Sequence, residues 1–109
     1  MSTGYRVLWT GVAKRDLREI VEFIACDSPD NAMKILHHIR KKSEELGCCP
    51  ERGRIVPELL DQGINFYREL LIQHWRLLYR ISEDRVFILS IIDSRRNVED
   101  ILLHRFLGL

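Results

Sequence analysis

The chain of 109 residues has no long apolar run, because charged residues interrupt every candidate well short of the roughly 20 residues that a bilayer-spanning helix needs. No membrane partner is expected. The N-terminal stretch MSTGYRVLW lacks the basic segment and apolar core of an export leader, so a cytoplasmic location is expected. Cysteine is scarce. The three present are an odd number with two of them adjacent, Cys48 and Cys49, which makes a poor disulfide framework. Charge of one sign is also lacking: the formal net charge is +1. A protein that lived mainly by phosphate contacts would be more basic, so any nucleic-acid role must rest on a local patch. Internal repeats, low-complexity tracts and linkers are missing too, which leaves residues 1–109 as a single domain with one core.

What is present is an ordinary globular mix, with 46% hydrophobic and 30% charged residues. Tyr5 to Thr10 alternates loosely and predicts a first strand. Leu17, Ile20, Val21 and Ile24 then recur at helical spacing, and Thr10 is placed to cap that helix. Asp27-Ser28-Pro29-Asp30 marks a stop and a new start: Ser28 can cap the following amides, and Pro29 suits a first helical position. The second helix offers Ala32, Ile35, Leu36, Ile39 and Leu46 to the core. Cys48 to Pro57 reads as a loop punctuated by Pro50, Gly53 and Pro57, and Asp61-Gln62-Gly63 is a further turn.

The stretch from Phe66 to Ile92 predicts three short strands, with a turn at Ser82-Glu83-Asp84-Arg85. Asn97 can cap a short terminal helix whose first turn carries Glu99 and Asp100. The order is an N-terminal strand, a two-helix hairpin, an antiparallel three-stranded meander completing a small sheet, and a short C-terminal helix. That is an α+β architecture rather than a doubly wound one. The helix pair is expected to cover one sheet face and to leave the other face, or the groove beside the last strand, for function.

Arginines mark the strands. Arg76 and Arg80 share a face by the period of two, Arg68 lies in the preceding strand, and Arg95-Arg96 follow the last. Gathered on one face, they would meet something anionic. Plainer roles compete. Arg76 and Arg80 can pair with Glu69 or Glu83 across the sheet, and Glu58 after Pro57 suits a turn or capping carboxylate. Trp75 and Tyr79 alternate with Leu77 and Ile81 as core residues, and His37 and His38 fall outside the apolar stripe of their helix. Adjacent cysteines with no C-x-x-C pair argue against zinc, so neither a metal nor a cofactor is expected.

The helical hairpin is followed by Pro50-Glu51-Arg52-Gly53-Arg54, Val56-Pro57-Glu58-Leu59 and Tyr67-Arg68-Glu69-Leu70. Next come Trp75-Arg76-Leu77-Leu78-Tyr79-Arg80 and Arg85-Val86-Phe87-Ile88-Leu89. In order and spacing these segments resemble the RelE/ParE superfamily of type II toxin–antitoxin toxins, from Tyr5 to about Leu107. The resemblance implies a growth-inhibiting toxin of a plasmid-stabilisation module, neutralised by a cognate antitoxin and touching operon DNA only through the antitoxin complex. An antitoxin segment would lie between helices and sheet, with Arg68 and Arg76 pairing to its acids.

Two chemistries fall under the resemblance. A RelE-like ribosome-dependent mRNA endoribonuclease (an mRNA interferase) would use Glu58 as base, with Arg76 on the scissile phosphate and Arg68 beside it. Relatives place a histidine or tyrosine near the end of the last strand as acid. Here the strand ends Ile91-Ile92-Asp93-Ser94-Arg95-Arg96, and two arginines would lower the aspartate pKa. A ParE-like poison of DNA gyrase asks for no nuclease site, and it is favoured here; Arg80, Arg95 and Arg96 are then candidates for target contact. A third possibility is a degenerate module that binds its antitoxin without toxicity.

Overall fold

In the computed structural model, residues 4–108 are described. Met1 to Thr3, the start of the stretch read above for a leader, and Leu109 lie outside them. The chain is α+β, as its pattern predicts. Strand β1 (Arg6–Trp9) leads to helix α1 (Gly11–Ala25), helix α2 (Pro29–Glu44) and a 3₁₀ turn (Glu45–Gly47). Then come β2 (Arg54–Ile55), the single-turn α3 (Pro57–Leu60), β3 (Tyr67–Ile72), β4 (Trp75–Ser82), β5 (Arg85–Asp93) and α4 (Val98–Leu107).

The local signals for the helices hold. Thr10 accepts from the Ala13 amide at 3.2 Å and donates to the Ile88 carbonyl at 2.9 Å, so one hydroxyl caps α1 and ties it to β5. Ser28 accepts from the Asn31 amide with Pro29 at the start of α2, and Asn97 accepts from the Asp100 amide at the start of α4. Leu46 is buried, but on the 3₁₀ turn rather than on α2.

The described strands form one sheet in the order β1-β5-β4-β3-β2. β1 runs parallel to β5 and the other pairs are antiparallel. The presumed loop from Cys48 to Pro57 therefore contributes a fifth strand. Arg54 and Ile55 pair with Glu69 and Arg68, so tertiary pairing defines β2 rather than any local pattern. In β5 the register slips between Leu78↔Ser90 and Tyr79↔Ile88, which leaves Leu89 as the extra residue of a bulge. The slip changes the phase of alternation, so Val86 and Ile88 share a core with Ile91.

Two cores result. Ala13, Leu17 and Ile39 of the helical hairpin pack on Trp75, Leu77 and Tyr79 of one sheet face. On the other face, Val56 and Leu59 at α3, and Val98 and Leu102 of α4, pack on Leu78 and Ile92. The face expected to stand open is thus covered by α3 and α4, because the apolar sides of those short helices have no other surface on which to bury. None of the described helices is long and apolar enough to cross a membrane.

Candidate functional site

Alternation along β3 and β4 fixes which arginines meet. Arg76 pairs in register with Leu71, and Glu69 with Leu78, on the face that carries α3 and α4. Arg68 pairs with Tyr79, on the face of the helical hairpin. The strands therefore do not gather Arg68 with Arg76. Arg68 points to the opposite face, where its Nη1 donates to the Gly53 carbonyl at 2.8 Å.

Arg76 is 6% exposed and fully engaged. Its Nε donates to Glu69 Oε1 at 2.6 Å, and its two Nη atoms donate to the two carboxylate oxygens of Glu58 at 2.8 and 2.6 Å. The second oxygen of Glu69 accepts from Arg54 Nε at 2.7 Å, so this wholly buried carboxylate is shared between two guanidinium groups. Pro57 starts α3 and sets Glu58 in its first turn, directly over the strand arginine. The Arg76 hydrogen bonds hold the Glu58 carboxyl below its usual range, and Glu58, followed by Glu69, keeps the Arg76 guanidinium firmly protonated despite burial.

Gly53 anchors the neighbouring turn. Its amide donates to Tyr79 Oη at 2.9 Å, and that hydroxyl donates to the Pro50 carbonyl at 2.7 Å. A β-carbon at Gly53 would press on the Glu69 backbone carbonyl and lie 2.6 Å from Tyr79 Oη. Glycine is thus required here by close approach rather than by φ. Burial pushes the Tyr79 phenol up, so it stays a neutral donor.

The remaining arginines are spread out. Arg80 is exposed and lies over the Phe66 ring at 4.5 Å, a cation–π contact instead of a pairing with Glu83. Past β5, Arg95 closes on Asp93 through Nε at 3.0 Å and Nη2 at 2.8 Å, and its amide donates to the same carboxylate at 2.9 Å. These bonds hold Asp93 down to about 2, far from the range of a general acid. Arg96 is exposed at a groove beside the end of β5, where Phe23, His74 and Trp75 also lie. Among the described residues no cluster of three or more His, Cys, Asp and Glu could hold a metal ion.

One polar centre was not anticipated from the sequence. Asp16, on the inner side of α1, is 5% exposed, and its Oδ2 accepts from the Ile91 amide at 3.0 Å and from Ser90 Oγ at 3.2 Å. Arg105 of α4 reaches the same carboxylate through Nη1 at 2.7 Å and Nη2 at 3.2 Å, and also donates to Ser90 Oγ. The bulge in β5, the first helix and the last helix meet on one carboxylate. The only available signal was an aspartate on the helix of Leu17 and Ile20, which a surface position explains equally well.

A further groove, of about 640 Å³, runs along the edge strand β1 between Trp9, Leu17, Val21 and Leu36, with Lys14, Arg18 and Arg40 at its rim. It is apolar at its base and chiefly cationic at its border.

The family model for the ParE toxin of the type II toxin–antitoxin system parDE matches residues 7–98 of this chain. Among solved structures, the chromosomal ParDE toxin–antitoxin system from P. aeruginosa is similar at a TM-score of 0.68 and 21% identity, covering 84% of this chain and 98% of that one. The RelBE2 toxin–antitoxin complex from Mycobacterium tuberculosis is similar at a TM-score of 0.60 and 26% identity, covering 83% of this chain and 91% of that one. No curated protein sequence matches the chain.

Proposed function

The chain belongs to the ParE toxin family of type II toxin–antitoxin systems, within the RelE/ParE superfamily, and from that premise we propose that it inhibits growth by acting on DNA gyrase rather than by cutting RNA. The observation that carries this reading is the bidentate pair of Glu58 and Arg76. Cleavage of RNA through its own 2′-hydroxyl needs a base free to take a proton and a cation free to meet the phosphorane. Here the candidate base is spent on the candidate cation, and its pKa is lowered by that contact. Arg68 on the other sheet face and Asp93 closed on Arg95 support the same reading. Target contact then falls to exposed cations, Arg80 and Arg96 first, with Arg95 available where a stronger anion displaces Asp93.

An antitoxin is the partner, in keeping with the toxin–antitoxin complexes among the similar structures. The groove along β1 suits an amphipathic acidic segment, with apolar anchors between Trp9 and Leu36 and carboxylates against Lys14, Arg18 and Arg40. These cations replace Arg68 and Arg76 as the proposed partners of antitoxin acids, since both of those already hold groups of their own chain. Action in the cytoplasm, and contact with operon DNA only through the antitoxin complex, are parts of the same proposal.

The proximity of Glu58 to Arg76 favours a second reading. A ribosome that pulled Arg76 onto a phosphate would free Glu58, giving a RelE-like endoribonuclease that works only on ribosomes. Induction of the chain alone in bacteria separates the two. Filamentation with damaged DNA and continuing translation is the expected result, and purified protein should block gyrase supercoiling. Prompt loss of translation with cleaved mRNA would overturn the gyrase reading. Unchanged growth would mean a module that only binds its antitoxin.

A further inference from the structure

Cys48 and Cys49 lie in none of the sites above, and their side chains are brought together. In extended backbone, neighbouring side chains point to opposite sides. Cys48 instead has φ −105° and ψ −23°, at the end of the 3₁₀ turn, and this local helical geometry swings both thiols to one side. The two Sγ atoms are 3.3 Å apart, and both residues are exposed. The turn beneath them is fixed: the amides of Cys48 and Cys49 both donate to the Glu45 carbonyl, and the Arg52 amide donates to the Cys49 carbonyl. Arg52 itself is drawn to Glu45 at 2.7 Å. A shallow groove of about 420 Å³, bordered by Tyr5, Pro50 and Ile81, opens beside the thiols.

Geometry selects what such a pair would hold. Adjacent α-carbons across a trans peptide are about 3.8 Å apart, short of the usual disulfide range of about 4.4–6.8 Å, so a direct bond between these sulfurs would be strained. An atom inserted between the sulfurs removes that strain. With bonds of about 2.3 Å to sulfur, a linear two-coordinate ion would require sulfurs about 4.6 Å apart, and a tetrahedral ion about 3.8 Å. The observed 3.3 Å corresponds to an angle near 90° at the centre, the habit of a pyramidal three-coordinate atom. A closed tetrahedral site is further disfavoured because no third and fourth ligand stand nearby among the described residues.

We propose that Cys48 and Cys49 are a chelating site for a thiophilic trivalent metalloid of the arsenic(III) class, bound through two sulfurs with its third position open to the groove. The reaction is an exchange without oxidation. Two As–O bonds of an arsonous acid, R–As(OH)₂, break and two As–S bonds form; each thiol proton leaves with a hydroxide as water. The site is independent of the gyrase reading.

Phenylarsine oxide, added to the reduced full-length chain with its antitoxin bound, is the probe. Intact-mass spectrometry should show one phenylarsenic per chain. Titratable thiols on this chain should fall from three to one, with Cys26 remaining. The adduct should survive excess monothiol and be stripped by a small dithiol. Cys26→Ser should keep it. Cys48→Ser and Cys49→Ser should each lose a hundredfold or more in retention against monothiol, roughly the effective-concentration advantage of a second tethered ligand. Circular dichroism confirms that these variants fold. An adduct that persists in either single variant, or that monothiol removes from the native chain, overturns the proposal.

Discussion

Glu58 and Arg76 face each other through both carboxylate oxygens and both Nη atoms, at 2.8 and 2.6 Å, while the third nitrogen of the guanidinium, Nε, donates to the fully buried Glu69. One guanidinium thus joins α3, β3 and β4. The residue is 6% exposed, so its charge depends chiefly on the buried Glu69 carboxylate, with the partly exposed Glu58 as its second partner.

Arg76→Ala should therefore destabilise the fold by about 3–5 kcal/mol, because Glu69 would remain buried with Arg54 as its only cation. Glu58→Gln should cost much less, since Glu58 is partly exposed and water can replace part of what it gives. Urea unfolding at neutral pH checks the order of the two, provided the slope stays constant so that the midpoint shift reports stability. If gyrase is the target, Glu58→Gln should remain toxic. A nuclease using Glu58 as base would lose its activity.

Acid should expose the same contacts. The folded pKa values of Glu58 and Asp93 are both depressed by arginine partners, Arg76 and Arg95, with Asp93 at about 2. A depressed carboxylate contributes stability that is complete above its unfolded value, about 4 for these residue types, and is lost as pH falls through the folded value. Melting temperatures should hold from neutral pH to about 5 and decline from about 4 towards 2. Asp93→Asn should flatten part of the lowest limb of that decline by lowering the neutral value, since the variant gives up at neutral pH the stability that the native carboxylate loses in acid.

Tyr79→Phe should cost about 1–3 kcal/mol, because the Gly53 amide and the Pro50 carbonyl would both lose a buried partner. The raised phenol pKa gives the alkaline counterpart. Its stabilisation is complete below the unfolded value near 10 and is lost as pH rises through the folded value. Gly53→Ala should act on the same turn by collision with the Glu69 carbonyl, at an overpacking cost of about 1–3 kcal/mol or more. Hydrogen exchange at residues 50–55 should report both changes, and Tyr79→Phe alone should flatten the alkaline limb.

The helices were legible because their signals are local. Thr10, Ser28-Pro29 and Asn97 each act on amides a few residues away, and the apolar spacing of α1 names its own buried side. β2 was illegible because two residues carry no period, and only Glu69 and Arg68 across the sheet make them a strand. The alternation that correctly put Arg76 and Arg80 on one face could also have separated Arg68. Doing so required the register in which Ile72 meets Trp75, and the turn at Gln73 and His74 has no asparagine–glycine signature to declare it. The burial of Arg76 depends on where α3 settles, and strand pattern is silent on that.

Asp16 is the strongest case of a residue whose role depends on distance along the chain: its partners Ser90 and Arg105 stand 74 and 89 positions away. The carboxylate closes α4 over the bulge of β5, so the terminal helix is fastened by charge as well as by Val98 and Leu102. Asp16→Asn and Arg105→Met should each destabilise the chain. Because both changes remove the same contact, their double mutant should fall short of the sum by about 0.5–3 kcal/mol. Asp16→Asn should cost more than Arg105→Met, since it also weakens acceptance from the buried Ile91 amide and the Ser90 hydroxyl. Faster amide exchange in residues 98–107 of either variant, with β3 and β4 still protected, would show that the fastening is local to α4. Strict additivity of the two costs would mean that the ion pair does not hold the helix, and that its apolar side alone keeps it in place.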